Sequence, residues 1–151
     1  MGARRALLLA GCLAAAGTTG CGTEPRGGVP PECRRGEQAV REALSAAPAE
    51  VTLDGTPLSA CLADESDAAE LADVGAAFVG AGSDLAAVAA ERPGSPEATQ
   101  LGYLLGAARR GVRAHRGVNA ELVRRLEQEA LVVRRRSEAF RRGERAGRRS
   151  G

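Results

Sequence analysis

One stretch of the 151-residue chain repeats apolar side chains at the spacing of a packed helix. Its apolar positions follow one another at intervals of 3, 4, 3, 4 and 3 residues and are Leu71, Val74, Phe78, Ala81, Leu85 and Val88. This spacing places all of them on one face of an α-helix, as a seam that other helices have to cover. Pro93 and Gly94 end the segment. The seam therefore predicts an all-α fold.

Two shorter segments precede the seam helix. A first helix is predicted by a shared apolar face, and Pro48 ends it; the face consists of Cys33, Val40, Leu44 and Ala47. Val51 and Leu53 alternate before a turn at Asp54 and Gly55, which indicates an extended stretch. Thr56 and Pro57 have the residue types of an N-cap and a first helical position, so they predict a short helix that carries Cys61.

Two further helices are predicted after the seam. Ser95, Pro96 and Glu97 supply a cap, a preset φ angle and an acidic first turn, in that order. The apolar face of that helix comprises Leu101, Leu104, Leu105, Ala108 and Val112, and its end is predicted at His115, Arg116 and Gly117. Asn119 is predicted to cap the last helix, with Val118 and Val123 as a hydrophobic staple. The apolar face of the last helix comprises Leu122, Leu126, Ala130, Val133 and Phe140. In the alternative, residues 113–125 continue as one long helix.

Short connections at 92–95 and 117–119 favour antiparallel neighbours. We therefore expect residues 32–142 to form a small up-down bundle of about four helices. Residues 21–31 are rich in Gly and Pro and offer no side chains for a core, so they predict a flexible tether. Residues 143–151 also lack large apolar side chains, and we expect a disordered basic tail there.

The amino terminus has the layout of a secretory signal peptide, with Arg4 and Arg5 before an apolar run that ends in small residues at Gly20. A small residue directly before a cysteine resembles the lipobox of bacterial lipoproteins, in residues 1–21 only. The resemblance implies cleavage before the cysteine, a diacylglycerol on its thiol and acylation of the new amine. It also implies an anchored protein at the outer face of the cytoplasmic membrane.

Two cysteines fit the lipobox in part. The residues before Cys12 match the motif types better, but cleavage there leaves an apolar run shorter than signal peptides use. Cleavage at Cys21 leaves two other cysteines, Cys33 and Cys61, which are then able to form a disulfide in an oxidising compartment. We therefore predict lipidation at Cys21. An ordinary secretory peptide is the remaining alternative, although no small-x-small cleavage site lies nearby.

Most catalytic templates do not fit this chain. All 21 basic residues are Arg, so a phosphate-binding loop with Lys and a Schiff-base lysine are excluded. His115 is the one histidine and is expected to lie at a helix end. The acidic group Asp64, Glu65, Asp67 and Glu70 lacks the ligand spacing of a calcium loop. We predict no enzyme activity, no metal and no cofactor.

Small residues recur in two places. Residues 80–83 read Gly-Ala-Gly-Ser within a helix, and Gly102 and Gly106 form a GxxxG pair. Both are expected to allow close helix contacts within a soluble bundle, because no segment is judged long and apolar enough to span a membrane.

Charge is divided between the two halves of the mature chain. Residues 21–108 carry 5 Arg and 14 acidic residues, whereas residues 109–151 carry 14 Arg and 5 acidic residues. Export and the lack of interleaved aromatic residues argue against nucleic acid. One expectation is pairing inside the bundle, between Asp73 and Arg125 and between Asp84 and Arg136. Others are an acidic protein partner, or contact with anionic lipid or wall polymer, for which the candidate residues are Arg134, Arg135, Arg141 and Arg142.

These observations predict a non-catalytic lipoprotein of the cell envelope that acts as an interaction or structural module. The alternative is a lipoprotein that carries a small ligand in a pocket between helices. A cavity between the third and fourth predicted helices would favour that carrier.

Overall fold

The computed structural model describes residues 28–62, 68–112 and 117–151, and over these ranges the fold is mostly α-helical. Its helices are α1 (Gly36–Leu44), α2 (Ala68–Glu91), α3 (Pro96–Gly111), α4 (Val118–Arg136) and α5 (Glu138–Ser150). Two 3-10 turns, Pro31–Arg34 and Leu58–Leu62, and a hairpin of β1 (Thr52–Leu53) and β2 (Thr56–Pro57) complete the described part. The predicted all-α bundle is thus confirmed.

The seam helix is α2, and its predicted face is the centre of the core. Val74, Phe78 and Ala81 are fully buried, and Leu71 and Leu85 are nearly so. The helix ends at Glu91, two residues before Pro93 as predicted. α2 packs against α1, α3 and α4, so its small side chains are covered on several sides.

Helix α3 begins where the sequence predicts. The hydroxyl of Ser95 accepts a hydrogen bond from the Ala98 N–H, and Pro96 occupies the first turn. Tyr103 on this helix is fully buried, and its hydroxyl accepts a hydrogen bond of 3.0 Å from the Val51 N–H. This bond ties the loop before the hairpin to the middle of α3.

The hairpin replaces a predicted helix start. Thr56 and Pro57 form strand β2 rather than an N-cap and a first helical turn. Asp54 and Gly55 both have positive φ angles, 47° and 89°, which is the geometry of a two-residue hairpin turn. The turn itself is predicted correctly, but it returns the chain into a pairing of Leu53 with Thr56. Cys61 lies in the following 3-10 turn.

α3 and α4 are separate helices, as predicted, but α3 ends at Gly111, before the predicted end at His115, Arg116 and Gly117. Val112 is extended and Gly117 has a φ of 87°, so these residues do not belong to one continuous helix. Residues 113–116, with His115, lie outside the described part. Asn119 is not the cap: it lies inside α4, and its side-chain amide donates to the Leu62 carbonyl at 3.1 Å. Val118 is 43% exposed and does not serve as a buried staple.

The prediction of a disordered tail over 143–151 is wrong. Residues Glu138–Ser150 form α5, and Phe140, Gly143 and Gly147 are buried against α3. The predicted last helix also breaks at Ser137, so that Phe140 belongs to α5 rather than to α4. The predicted bundle boundary at residue 142 therefore cuts through a packed helix.

Glycines on both helices explain why α5 packs so closely on α3. A Cβ on Gly143 would overlap the Thr99 carbonyl oxygen, and one on Gly147 would overlap that of Tyr103. Gly102 and Gly106 face α5 in the same way. The facing residues ascend together along both chains, so the two helices are parallel. The role expected of Gly102 and Gly106, close packing within a bundle, is confirmed.

Candidate anionic-surface interface

Helix α5 has strong local start and stop signals. The Ser137 hydroxyl accepts a hydrogen bond of 2.9 Å from the Phe140 N–H and so caps the amino terminus. Glu138 lies in the first turn, and Arg148 and Arg149 lie in the last. Acidic residues at the start and basic residues at the end both favour the helix dipole.

All five arginines of α5 project from the side opposite α3. We call this surface the arginine face; it consists of Arg141, Arg142, Arg145, Arg148 and Arg149, all of which are exposed. The opposite side of the helix is buried and consists of Ala139, Phe140, Gly143, Glu144, Ala146 and Gly147. The arrangement follows from the helical period, because arginines three, four and seven residues apart share one side.

Acidic residues neutralise only part of the arginine face. Glu138 contacts Arg141 at 2.7 Å and Arg145 at 3.3 Å. Hydrogen bonds from these two guanidinium groups, that of Arg141 foremost, lower the pKa of the Glu138 carboxyl. Glu144 contacts Arg148 at 3.1 Å and also pairs with Arg109 of α3.

Two arginines of the face lack an acidic partner. Among the described side chains, no carboxylate contacts Arg142 or Arg149. They lie seven residues apart, on the same side of α5. Arg110 of α3 adds a further exposed guanidinium at this end of the helix, where it donates to the Arg148 carbonyl at 3.4 Å and also to that of Arg149. The free cationic surface therefore extends from α5 onto the end of α3.

The arginine face reaches the end of the bundle at which the amino-terminal segment enters. The Val29 N–H donates to Glu70 at the start of α2, at 3.1 Å. From there the Cys33–Cys61 disulfide, with its Cα atoms 5.5 Å apart, leads to the second 3-10 turn. In that turn Ser59 donates to the carbonyl of Gly151, just beyond α5. We call this pole of the molecule the tether end.

The predicted pairing between the acidic and basic halves of the chain is not observed in the described part. Asp84 pairs with Arg41 of α1 at 2.5 Å, and Arg125 pairs with Glu121 of its own helix at 3.0 Å. Every described ion pair joins two residues of the same half. The predicted Asp73–Arg125 pair is wrong, because α4 supplies its own acid for Arg125. The predicted Asp84–Arg136 pair stays a prediction, because the side chain of Arg136 lies outside the described part of the structure.

An apolar groove of about 470 Å³ lies between α2 and α4. Leu71, Val79 and Leu122 form its walls, and Glu121 and Arg125 lie at its rim. A second, polar groove lies beside α1 and is lined by Glu37, Glu42 and Glu97 among others. The cavity predicted for a carrier was placed between the seam helix and the next, which are α2 and α3; the apolar groove lies on another side of α2.

The predicted site residues have different outcomes. The Cys33–Cys61 disulfide is present, and both cysteines are buried. Arg141 and Arg142 are exposed on the arginine face, and their contact with an anionic surface stays a prediction. Cys21 and the side chains of Arg134 and Arg135 lie outside the described part of the structure.

Three arginines of the face were missed at the level of sequence: Arg145, Arg148 and Arg149. The signal was a small residue at every fourth position, Ala139, Gly143, Gly147 and Gly151. This period places the small residues on one side of a helix and the intervening arginines on the other.

Two further sequence expectations concern acidic and apolar segments. Of the acidic group near residue 65, only Glu70 is described, and it is bonded to Arg34 and to Val29. In the described ranges no three His, Cys, Asp or Glu residues are grouped as in a metal site.

Helix α2 is long and apolar enough to cross a membrane by length and composition, contrary to the expectation that no segment of the chain is. In this structure it packs as a core helix.

Comparison of the chain with protein-family models, with curated proteins and with solved structures finds no match.

Proposed function

We propose that this chain is a non-catalytic lipoprotein of the bacterial cell envelope, anchored through Cys21 at the outer face of the cytoplasmic membrane. Its helical bundle acts as an interaction module, and the arginine face of α5 binds an anionic surface. Anionic phospholipid head groups are the nearest such surface for an anchored protein. The observation that carries the proposal is the exposed row of five arginines on one side of α5.

The separation of charges supports this role. No described ion pair joins an acidic residue of the first half to an arginine of the second half, so these pairs leave the basic excess of the second half in place. Each Lys or Arg close to an anionic leaflet contributes about 1 kcal/mol of attraction. An arginine face that is only partly paired is therefore sufficient to orient an already anchored domain.

The position of the tether is compatible with this contact. Gly28 follows Cys21 by seven residue steps, and a chain of that length reaches at most about 24 Å. Neighbouring helix axes lie about 8–10 Å apart, so the distance from α2, where Val29 is bound, across α3 to α5 is about 20 Å. A lipid at Cys21 therefore leaves the arginine face within reach of the same membrane.

Binding to vesicles tests the arginine face. The soluble domain without its lipid is titrated with vesicles that contain phosphatidylglycerol and with neutral phosphatidylcholine vesicles. We expect binding to the anionic vesicles only. The double variant Arg142→Gln/Arg149→Gln should bind about 30-fold more weakly, at about 1 kcal/mol for each arginine, and Glu138→Gln should bind about fivefold more tightly.

The matched control is Arg41→Gln/Arg92→Gln, which changes the net charge equally but on the side of α1 and the end of α2. It should bind within about twofold of the unaltered protein. An equal loss in both double variants would mean that net charge alone governs binding, and would overturn the role of the face.

The lipid anchor has a test of its own. Mass spectrometry of the mature protein should find a diacylated Cys21 followed by Gly22, and an unlipidated terminus or one at Cys12 contradicts it.

The carrier stays the second candidate, because the apolar groove between α2 and α4 has the size of a small-ligand site. Glu121 and Arg125 at its rim are bonded to each other, at 3.0 Å. A fatty acid that binds to the unaltered domain, and about tenfold more weakly to Gly75→Leu, would favour the carrier. Gly75 lines the groove, and a Cβ there meets only Leu122, at 3.9 Å.

A further inference from the structure

A single residue joins α4 to α5. α4 ends at Arg136 and α5 begins at Glu138, and Ser137 between them is extended, with φ −116° and ψ 116°. α5 runs parallel to α3, whereas α4 runs parallel to α2. The chain therefore reverses its direction along the bundle at one residue.

The buried side of the chain nevertheless keeps one helical register through this reversal. The buried positions follow one another at intervals of 4, 3, 4, 3 and 4 residues and are Leu126, Ala130, Val133, Ser137, Phe140 and Glu144. This is the period of one uninterrupted helical seam. The segment 118–150 also contains no proline. If Ser137 became helical, α4 and α5 would form one straight helix with a continuous buried side.

Contacts of Ser137 hold the bent form. Its hydroxyl accepts the hydrogen bond from the Phe140 N–H and donates one to the carbonyl of Pro93 at the start of the α2–α3 connection. α4 itself makes few contacts with α5, whereas α3 contacts α5 along its whole length. The position of α5 is therefore determined by α3 and by Ser137.

The surface of α3 that receives α5 is selective. A Cβ on Gly102 would lie 2.9 Å from the Glu144 backbone nitrogen, and one on Gly106 would lie 2.9 Å from that of Arg148. Backbones this close admit only a helix with small residues at every fourth position, and α5 supplies them at Gly143 and Gly147. The α5 of a second copy of this chain fits that surface equally well.

We propose that this protein forms an exchanged dimer, in which α4 and α5 straighten at Ser137 and each α5 docks on the α3 of the partner copy. All α3–α5 contacts are retained in the exchange, as in other domain-swapped dimers. Each chain loses the two hydrogen bonds of Ser137 and gains a continuous helix. The dimer is therefore favoured by concentration and disfavoured by a longer connection.

Two variants with opposite effects test the exchange. Ser137→Ala removes the cap and favours a straight helix, so we expect it to raise the dimerisation constant about tenfold. Insertion of Gly-Gly after Ser137 interrupts the straight helix but lets α5 fold back, so it should keep the chain monomeric at all concentrations. Light scattering after size-exclusion chromatography measures both, and circular dichroism checks that each variant is helical.

Chain mixing distinguishes exchange from any other dimer. One chain carries Ala107→Cys on α3 and the other carries Gly151→Cys after α5, two positions that adjoin in the fold. After joint unfolding and refolding, we expect a disulfide between the two different chains on a non-reducing gel. Dimers without that crosslink, or an absence of dimers in the unaltered chain and in Ser137→Ala at millimolar concentration, would overturn the proposal.

Discussion

At the scale of single residues, the core depends on very few large side chains. The chain has two Phe, one Tyr and no Trp, and Phe78, Tyr103 and Phe140 are all fully buried. They lie on α2, α3 and α5, so each of these helices contributes one aromatic ring to the core. In a core composed mostly of Ala, Val and Leu, little neighbouring bulk is available to fill the space that a lost ring would leave.

Phe78→Ala should therefore destabilise the domain by about 3–5 kcal/mol, the range for a fully buried aromatic residue. The midpoint of urea unfolding measures this change. Leu131→Ala is the control, since Leu131 is 53% exposed and its truncation should change stability by less than about 0.5 kcal/mol. A loss below about 1 kcal/mol for Phe78→Ala would mean that the seam of α2 is not the core.

At the scale of elements, backbone proximity positions α5, because its buried side offers little apolar area. Its inner side has Phe140, Glu144, two alanines and two glycines, while its outer side consists of arginines and Glu138. Gly is a poor helix former, so this helix depends on α3 for its stability. The same dependence explains why the arginine face has a fixed position. The glycines allow α5 to pack closely on α3 in one alignment only, and this alignment determines where the arginines lie.

Gly102→Ala should destabilise the domain by about 1–3 kcal/mol, because the added methyl group overlaps the Phe140 carbonyl and forces the two backbones apart. Amide hydrogen exchange should be accelerated in α5 and unchanged in α1. Gly94→Ala is the matched control: a Cβ there meets nothing within 4 Å, so the same change should be neutral or slightly stabilising. Equal effects of the two substitutions would show that α5 does not need the close contact.

Sequence periodicity predicts those elements that are determined by their own side chains. α2 and the start of α3 follow from an apolar seam and from a capping serine, both local signals. α5 was missed although its two ends have local signals, because Gly143 and Gly147 in its interior weaken a helix until the glycine side of α3 lies opposite. The hairpin was missed for a similar reason, since Thr56 and Pro57 fit a helix start locally but the positive φ angles at Asp54 and Gly55 direct them into strand pairing.

The candidate site was likewise predicted only in the part that depends on local sequence. Arg141 and Arg142 were predicted from the charge of the second half alone, and they lie on the arginine face. The remaining members required knowledge that residues 143–151 are helical. The expectation that Asp73 pairs with Arg125 did not hold, because sequence spacing gives the side of a helix but not the nearest acidic residue; here that residue is Glu121 of the same helix.

At the scale of the whole molecule, one covalent link joins the first described residues of the chain to the tether end of the bundle. The Cys33–Cys61 disulfide joins the first 3-10 turn to the second, 28 residues later in the chain. On one side of it Val29 is bound to α2, and on the other Ser59 is bound to Gly151. These contacts hold the first 3-10 turn and the end of α5 at one pole of the bundle.

Replacement of both cysteines, Cys33→Ser/Cys61→Ser, should lower the free energy of unfolding by about 3–4 kcal/mol, as expected for the loss of a crosslink that closes a loop of this length. Both side chains are fully buried, so the new hydroxyl groups add a desolvation cost in the same direction. Binding to anionic vesicles should be unchanged below the unfolding transition, because α3, and not the disulfide, holds the arginine face. Reduction of the unaltered protein is the control and should give a similar loss of stability. A reduced domain as stable as the oxidised one would contradict the assigned role. Vesicle binding that disappears with the disulfide while the helices persist would place the bound surface on the two disulfide-linked 3-10 turns and not on the arginine face.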